Sequence, residues 1–328
     1  MSDKAGGTRD RRTPRGMHLE REKMWKASIA NHDRYLDAST GFFAEEHTAP
    51  RNCPACGADD ARFMFQKSGG FYHNCNKCSM VYLNPALTDD ALTDYYRNNH
   101  AVQGEVVAED MSFYRSLYER GIASIEKFKP EKQGLLDVGC STGIFLDIAK
   151  ERGWLTFGLE LNKAEIEIAV SKGHDITEGL IATAGFDRTF DAISLWDVFE
   201  HIKDGHTFLS EARPLVNPGG IVFIQSPSRD ALAARVMQVA CNMFDGLEHV
   251  NLYGHNSLNI VAEANGFEIV NYETVISEIG VMNNYLHYDD PYLGGTTDTK
   301  SLAGLVSEDE IHAKRLGYKF QACLQRKS

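Results

Sequence analysis

The sequence has no apolar run close to the ~20 residues that a helix needs to cross a bilayer. Its first 20 residues also lack the apolar stretch of a secretory signal peptide, and they carry four arginines instead. These absences argue against a membrane-spanning helix and against secretion. We therefore expect a cytoplasmic protein with no membrane partner.

The sequence also has no excess of basic residues. Asp and Glu number 46 against 34 Lys and Arg, which gives a formal net charge of −12. A negative surface repels phosphate backbones, so we expect no nucleic-acid partner. The 328 residues, 43% of them hydrophobic, suit one large globular domain with a small module or arms.

Cysteine is sparse outside one region of the chain. Four of the seven cysteines form two pairs separated by 18 residues, Cys53/Cys56 and Cys75/Cys78. In a cytosolic protein this pattern favours a metal site over disulfides. Four thiolates satisfy a tetrahedral zinc ion and leave no open position, so we expect a structural Zn²⁺ in a zinc ribbon. Reduced cysteines in simple turns are the alternative.

Short apolar segments alternate with helical patterns from Gly134 onward. This alternation predicts an α/β fold, with a mostly parallel sheet that has helices on both faces. The seven predicted strands are residues 134–138, 155–160, 175–178, 190–196, 220–225, 267–273 and 318–325. The predicted helices between them are residues 143–152, 163–172, 205–216, 257–265 and 307–316.

The composition divides the chain into four predicted parts. Residues 1–50 form a disordered arm with helical character over 17–44, and residues 51–87 form the zinc-ribbon module. Residues 88–133 form a helical linker and lid, in which one helical stripe carries Met111, Tyr114, Leu117, Tyr118 and Ile122. Residues 134–328 form the large domain. Insertions near 228–256, including a helix over 230–244, and near 277–305 are expected to cover a substrate.

A glycine turn follows the first strand of the large domain, in the pattern Asp137-x-Gly139-x-x-x-Gly143. Its glycines allow backbone N–H groups to approach a ligand. Glu160 ends the next strand, 21 residues after Gly139, where an acid can accept both hydroxyl protons of a ribose. The third glycine of a dinucleotide site is missing. An acid at Asp137 suits the ammonium group of S-adenosylmethionine, although such turns also occur only as packing devices.

Successive motifs after residue 109 resemble those of class I S-adenosylmethionine-dependent methyltransferases. The motifs are the Asp137 turn, Glu160, Phe190-Asp191-x-Ile193 and Leu215-x-x-Pro218-Gly219-Gly220. The segment 196–202 is similar to the Glu-His segment of the small-molecule branch, which includes ubiquinone-biosynthesis O-methyltransferases. The resemblance implies a Rossmann-like, doubly wound, seven-stranded sheet. It also implies a cofactor site formed by Asp137, Gly139, Cys140, Gly143, Glu160 and Leu161, with Trp196 and Asp197 beside it. It leaves the contact to the adenine amine unassigned.

Three histidines are candidate general bases for methylation of a hydroxyl group. His201 follows the fourth strand, and Glu200 is expected to orient it; His249 and His255 lie in a loop past the fifth strand. Helix capping or simple loop hydrogen bonding is the alternative for each of them. Cys140 has no neighbouring base, so its thiol is expected to pack rather than to react.

The cysteine region resembles the zinc segment that precedes many bacterial sugar and natural-product methyltransferases. The sequence therefore predicts an enzyme that methylates a small polar acceptor, most of all a hydroxyl of a sugar, nucleotide sugar or natural product. Carbon methylation of a nucleotide sugar is a close alternative. Methylation of ribosomal RNA with the ribbon as a clamp, protein methylation, and a non-catalytic assembly partner are the others.

Overall fold

The computed structural model describes residues 30–98, 111–286, 291–292 and 305–327. Five short strands precede residue 88. They are β1 (Thr48–Ala49), β2 (Ala61–Lys67), β3 (Gly70–Cys75), β4 (Val81–Leu83) and β5 (Ala86–Leu87). β2, β3 and β4 form an antiparallel sheet, and β1 pairs with β5. The residues between the two cysteine pairs therefore form two antiparallel strands. We call residues 51–87 the cysteine module.

Two helices connect the cysteine module to the large sheet. Helix α1 (Asp89–Arg97) begins at Thr88, whose hydroxyl accepts a hydrogen bond from the Ala91 N–H at 3.3 Å. Helix α2 spans Met111–Phe128. The predicted buried stripe of α2 is wrong at Met111, which is exposed. The buried residues are Phe113, Leu117, Gly121, Ile122 and Ile125.

Gly121 explains this orientation of α2. A side chain at Gly121 would lie 2.4 Å from the Trp196 ring and 2.6 Å from the Phe223 ring. The helix backbone can therefore lie directly on the aromatic side chains of the sheet, and this contact decides which face of α2 is buried.

The large domain contains seven paired strands, with helices and a short strand between them. In chain order these elements are β6 (Gly134–Val138), α3 (Ile144–Glu151), β7 (Leu155–Glu160), α4 (Lys163–Ser171), β8 (Asp175–Glu178), β9 (Phe190–Trp196), α5 (Gly205–Ala212), β10 (Val216–Pro227), α6 (Leu232–Met237), β11 (Asn251–Leu252), α7 (His255–Ala264), β12 (Phe267–Val275), α8 (Ile279–Tyr285), α9 (Glu308–Ala313) and β13 (Lys319–Arg326).

The seven-stranded sheet has the order β12-β13-β10-β9-β6-β7-β8. β13 is antiparallel to β10 and β12, whereas β8, β7, β6, β9 and β10 run parallel. All seven residues of β9 are buried, as expected for a central strand covered on both faces. The predicted α/β, doubly wound fold is confirmed.

Several predicted boundaries are wrong. The helix over 205–216 ends at Ala212, and a separate 3-10 turn that contains Pro214 follows at Arg213–Leu215. The strand over 220–225 is longer, Val216–Pro227, with an irregularity between Val216 and Ile221. The inserted helix over 230–244 is only α6 followed by the 3-10 turn Gln238–Ala240. The C-terminal helix over 307–316 shortens to α9.

The described end of the N-terminal arm is folded against the module. Where helical character was predicted up to residue 44, Leu36 forms a β-bridge with Phe43. Tyr35 is buried in a cluster with Leu87 and Tyr95, and its hydroxyl donates to Asp94 at 2.8 Å. Residues 1–29, the lid segment 99–110 and most of 287–304 lie outside the described residues. None of the helices described is both long and apolar enough to cross a bilayer.

Candidate active site

The glycine turn joins the carboxyl end of β6 to α3. Gly139 and Gly143 have φ values of +70° and +77°, in the left-handed region that favours glycine. The Gly139 N–H donates to the Leu159 carbonyl at 2.8 Å, and the Gly143 N–H donates to the Cys140 carbonyl at 2.9 Å. The turn is therefore fixed against the end of β7, which carries Glu160.

The Glu160 carboxylate bridges the β6–α3 and β7–α4 turns. It accepts hydrogen bonds from the Ser141 N–H at 2.9 Å, the Leu161 N–H at 2.6 Å and the Asn162 N–H at 2.9 Å. The next side chain, Leu161, is 46% exposed. A fixed carboxylate beside an exposed apolar side chain suits the ribose and the base of a nucleoside.

Asp137 lies in β6, just before the glycine turn, and is nearly fully buried. Its Oδ1 accepts a hydrogen bond from the Ser194 hydroxyl at 2.6 Å. Burial, with a smaller contribution from the negative charge of Glu160, raises the pKa of Asp137 to about 8 against the opposing effect of Ser194. A cationic group bound beside Asp137 would stabilise its ionised form.

Cys140 is buried inside the glycine turn. A side chain at Gly158 would lie 2.6 Å from the Cys140 sulfur, so the thiol packs closely on β7. Burial raises the pKa of the Cys140 thiol. These contacts agree with the expected packing role and argue against a nucleophile.

Trp196 and Asp197 end β9, the strand next to β6. The Trp196 ring lies 4.7 Å from Tyr118, 4.9 Å from Phe145 and 4.6 Å from Phe223 between ring centroids. Within the described ranges the buried Trp196 Nε1 has no hydrogen-bond partner, and neither has Asp197 Oδ1. Unpaired polar atoms at the end of a strand are positions where a polar ligand can bind.

Glu200, His201 and His249 come together next to this edge of the sheet. Glu200 and His201 belong to the 3-10 turn Phe199–His201, which follows β9. The two histidine rings are 5.1 Å apart between centroids. One ligand-type atom from each of the three residues lies within 4.8 Å of the others. The structure therefore joins the three predicted catalytic residues.

His249 has the properties of a base. Its Nδ1 lies 2.7 Å from the Met243 carbonyl oxygen, which can only accept, so Nδ1 carries the proton. The lone pair of the neutral ring is then on Nε2. Burial by itself lowers the pKa of His249, but the negative charges of Asp245 and Glu200 outweigh burial and raise it above the ordinary value.

His201 is in a different electrostatic environment. Burial, followed by the positive charge of His249, lowers the pKa of His201 to about 3. Its Nδ1 pairs with the Tyr96 hydroxyl at 3.0 Å. His201 therefore stays neutral near pH 7, and it is the weaker base of the two.

Glu200 is fully buried, and neither of its carboxylate oxygens has a hydrogen-bond partner among the described residues. Burial, with the charge of Asp197, raises the pKa of Glu200 to about 7. A buried acid beside two histidines can exchange a proton or bind a polar group.

The third candidate histidine, His255, is placed elsewhere. Its ring contacts Tyr272 at 4.8 Å between centroids, and the nearby charges are those of Arg315 and Asp230. Tyr114 is half-buried, and its ring contacts Phe113 and Tyr118. The contacts of His255 therefore lend no support to its predicted role as a general base, and those of Tyr114 agree with its place in the predicted helical stripe of α2.

Three residues of the site were missed from the sequence. Lys319 donates to Asp197 Oδ2 at 2.5 Å, and Gln225 Nε2 donates to the same oxygen at 3.3 Å. The third is Tyr96, which contacts His201. Lys319 and Tyr96 lie more than 100 residues from their partners. The adjacent tyrosines at 95–96, in the segment predicted as helical linker and lid, are the sequence feature that could have indicated Tyr96.

The four predicted metal ligands form a second cluster. Cys53 Sγ lies 3.4 Å from Cys78 Sγ, and Cys56 Sγ lies 3.6 Å from Cys75 Sγ. All four sulfurs are within 4.8 Å of one another, and all four cysteines are free thiols. The residue after each pair, Gly57 or Ser79, has a positive φ and donates its N–H to the first cysteine's carbonyl. The two pairs therefore form matching turns.

Residues 111–272 match a family model described as a methyltransferase domain. The match includes α2, which the sequence analysis had assigned to the linker. Ubiquinone biosynthesis O-methyltransferase of Chromobacterium violaceum is 31% identical over 107 residues, 30% of this chain and 46% of the relative. The protein of the same name from Saccharophagus degradans is 28% identical over 118 residues, 33% of this chain and 49% of the relative.

The chain therefore spans about half the length of these curated relatives. A solved S-adenosylmethionine-dependent methyltransferase from Archaeoglobus fulgidus superposes with a TM-score of 0.47 at 18% identity, covering 65% of this chain and 94% of that one. Residues 111–272 are therefore similar to a methyltransferase domain, in agreement with the predicted family. The predicted roles of single residues in cofactor binding and catalysis stay predictions.

Proposed function

Because residues 111–272 match a family model described as a methyltransferase domain, we propose that this protein transfers a methyl group from S-adenosylmethionine to a hydroxyl of a small polar acceptor. A sugar, nucleotide sugar or natural product fits this description. The observation that carries the proposal is the position of His249 beside Glu200 and His201, with its Nδ1 donating to the Met243 carbonyl so that Nε2 of the neutral ring carries the lone pair. The similarity to ubiquinone biosynthesis O-methyltransferases supports transfer to oxygen.

The residues present fit this cofactor. Glu160 can accept the ribose hydroxyls, the exposed Leu161 can cover the base, and the buried Asp137 can pair with the methionyl ammonium. When bound, the cofactor supplies a methyl group on a positively charged sulfur.

His249 performs the acid–base part of the proposed reaction. Its Nε2 takes the proton of the acceptor hydroxyl as the oxygen becomes nucleophilic. Asp245 Oδ2, 3.8 Å from Nε2, and the buried Glu200 stabilise the resulting imidazolium. The loop position of His249 is fixed because Asp245 Oδ1 accepts from the N–H groups of Leu247 and Glu248 at 2.9 and 3.0 Å.

Cofactor binding should release a proton through Asp137. With a pKa of about 8 in the free protein, Asp137 is mostly protonated at pH 7. A bound ammonium favours the carboxylate and lowers that pKa, so affinity should rise with pH below 8, by up to about tenfold per unit. Calorimetry with S-adenosylhomocysteine at pH 6 and pH 8 measures the pH dependence of the affinity. Repeating it in two buffers of different ionisation enthalpy measures the proton release. Asp137→Asn should remove them, and a wild-type affinity that is equal at the two pH values would exclude this role.

We also propose that the cysteine cluster binds one structural Zn²⁺. A tetrahedral ion with Zn–S bonds of about 2.3 Å needs sulfurs about 3.8 Å apart. The observed pairs, at 3.4 and 3.6 Å, are close to that spacing. Four thiolates leave no position for a substrate, so Cys53, Cys56, Cys75 and Cys78 stabilise the module and take no part in methyl transfer.

The purified protein should contain one zinc ion per chain. Cys75→Ser should remove the zinc and lower Tm by about 5–10 °C, because the small module depends on the metal. Cys323→Ser is the matched control, since it changes a buried thiol outside the cluster. Elemental analysis and a thermal melt of each variant measure the effects. Equal zinc content in both variants would show that the cluster is not a metal site.

A further inference from the structure

A short strand of the large domain belongs to the sheet of the cysteine module. β11 pairs antiparallel with β4, with Asn251 opposite Tyr82 and Leu252 opposite Val81. The Leu83 N–H also donates to the Val250 carbonyl at 3.0 Å. Asn251 lies two residues after His249. The segment that carries the proposed base therefore continues directly into an edge strand of the module.

The chain before His249 also lies against the module. The fully buried Tyr72 of β3 accepts a hydrogen bond from the Gly246 N–H at 3.1 Å and donates to the His249 carbonyl at 3.3 Å. A side chain at Gly246 would lie 2.0 Å from the Lys67 carbonyl oxygen, so the two backbones are in close contact. The main chain on both sides of His249 is thus held by β2, β3 and β4.

Arg51 links the first cysteine turn to both histidine segments. It lies two residues before Cys53. Its guanidinium donates to the carbonyls of Leu83 at 2.9 Å, Lys203 at 3.0 Å and Val250 at 2.7 Å, and to Asn251 Oδ1 at 2.9 Å. Lys203 lies two residues after His201, and Val250 is the residue after His249. One side chain therefore contacts the module and both loops.

Asn251 completes this link from the other side. It is fully buried, and its Nδ2 donates to the carbonyls of Ile202 at 2.7 Å and Lys203 at 3.1 Å. The guanidinium is planar and rigid, and a guanidinium taken out of water needs all its acceptors in place. A displacement of the first cysteine turn must therefore move the two loops or leave the Arg51 charge without partners.

We propose that Arg51 and Asn251 are positioning residues through which the metal-loaded cysteine module fixes the relative positions of His201 and His249. This inference rests on the proposed function, in which His249 is the base. It gives the module a role in the active site in addition to its own folding. Removal of the metal would then change the environment of both histidines.

The histidine environments provide a readout that is independent of activity. The charged and titratable groups that face the pair are Asp197, Glu200, Asp245, Glu248 and Tyr96. In the intact arrangement the pKa of His201 is below the ordinary value, and that of His249 is above it. A loss of positioning should therefore move the two pKa values in opposite directions, both toward about 6.5.

The experiment is a pH titration of the histidine ring signals by NMR in the full-length zinc-loaded protein. Arg51→Met and Asn251→Ala should each raise the His201 midpoint by about one pH unit or more and lower the His249 midpoint, while the zinc content stays at one per chain. Arg51→Lys should bring both midpoints part of the way back from their Arg51→Met values to the wild-type values. Arg62→Met, an exposed arginine of β2, is the matched control and should change neither midpoint. Zinc removal from the wild-type protein by a chelator should reproduce the shifts.

Wild-type midpoints in both Arg51→Met and Asn251→Ala, or in the zinc-depleted protein, would overturn the coupling. Asn251→Ala is a second variant that keeps the test valid if Arg51→Met does not fold, because Asn251 lies on β11 and not in the segment that carries Cys53. Binding of S-adenosylhomocysteine, measured by calorimetry on the same samples, reports separately on the proposed function. A failure of that binding would refute the methyltransferase proposal and leave the histidine shifts interpretable.

Discussion

Replacing His249 with asparagine should slow methyl transfer by about 10²–10⁴-fold, the usual contribution of a general base. Affinity for S-adenosylhomocysteine should stay within about twofold, because Asp137 and Glu160 remain. His201→Asn should have a smaller effect, below about tenfold, since the low pKa of His201 makes it a poor base. The difference between the two variants tests the assignment of the base.

The measurement is a single-turnover assay with a tritiated methyl donor and an acceptor found by screening sugars, nucleotide sugars and phenols. His312→Asn is the control, because His312 pairs with Thr274, outside the site. Equal rates for His249→Asn and the control would show that the acceptor loses its proton without His249. A larger loss in His201→Asn than in His249→Asn would reverse the assignment.

Glu160→Gln should weaken binding of S-adenosylhomocysteine by about 100-fold or more. Two charge-assisted hydrogen bonds to the ribose would be lost, each worth about 1.5–3 kcal/mol. The turn would loosen as well, because the Glu160 carboxylate accepts the N–H groups of Ser141, Leu161 and Asn162. Calorimetric titration of the wild-type and variant proteins gives the ratio of dissociation constants.

Glu178→Gln is the matched control for this comparison. Glu178 ends β8 as Glu160 ends β7, and it is exposed. Its replacement should leave the affinity unchanged. If both variants bind as the wild-type protein does, the ribose lies elsewhere and the cofactor site has been placed wrongly.

The sheet could be predicted because its strands have a local signal. β9 is buried along its whole length and reads as a nearly continuous apolar run, and the glycine turn after β6 is fixed by two residues with positive φ. The cysteine turns are also local, since each is closed by hydrogen bonds within five residues. Such features depend on neighbours in the sequence and are visible in it.

Other features depend on contacts that no local pattern contains. The buried face of α2 follows from Gly121 lying on Trp196 and Phe223, two residues of the distant sheet. Lys319 reaches Asp197 across 122 positions, and Tyr96 reaches His201 across 105. The folded end of the arm likewise depends on Tyr35 packing with Tyr95. These details required the three-dimensional structure.

The most direct test of the central claim is a crystal structure of the full chain with S-adenosylhomocysteine. Both ribose hydroxyls should lie within hydrogen-bond distance of the Glu160 carboxylate, and the sulfur should face the group formed by Glu200, His201 and His249. A ligand bound away from the carboxyl ends of β6 and β7, or a sulfur that points away from His249, would contradict the central claim.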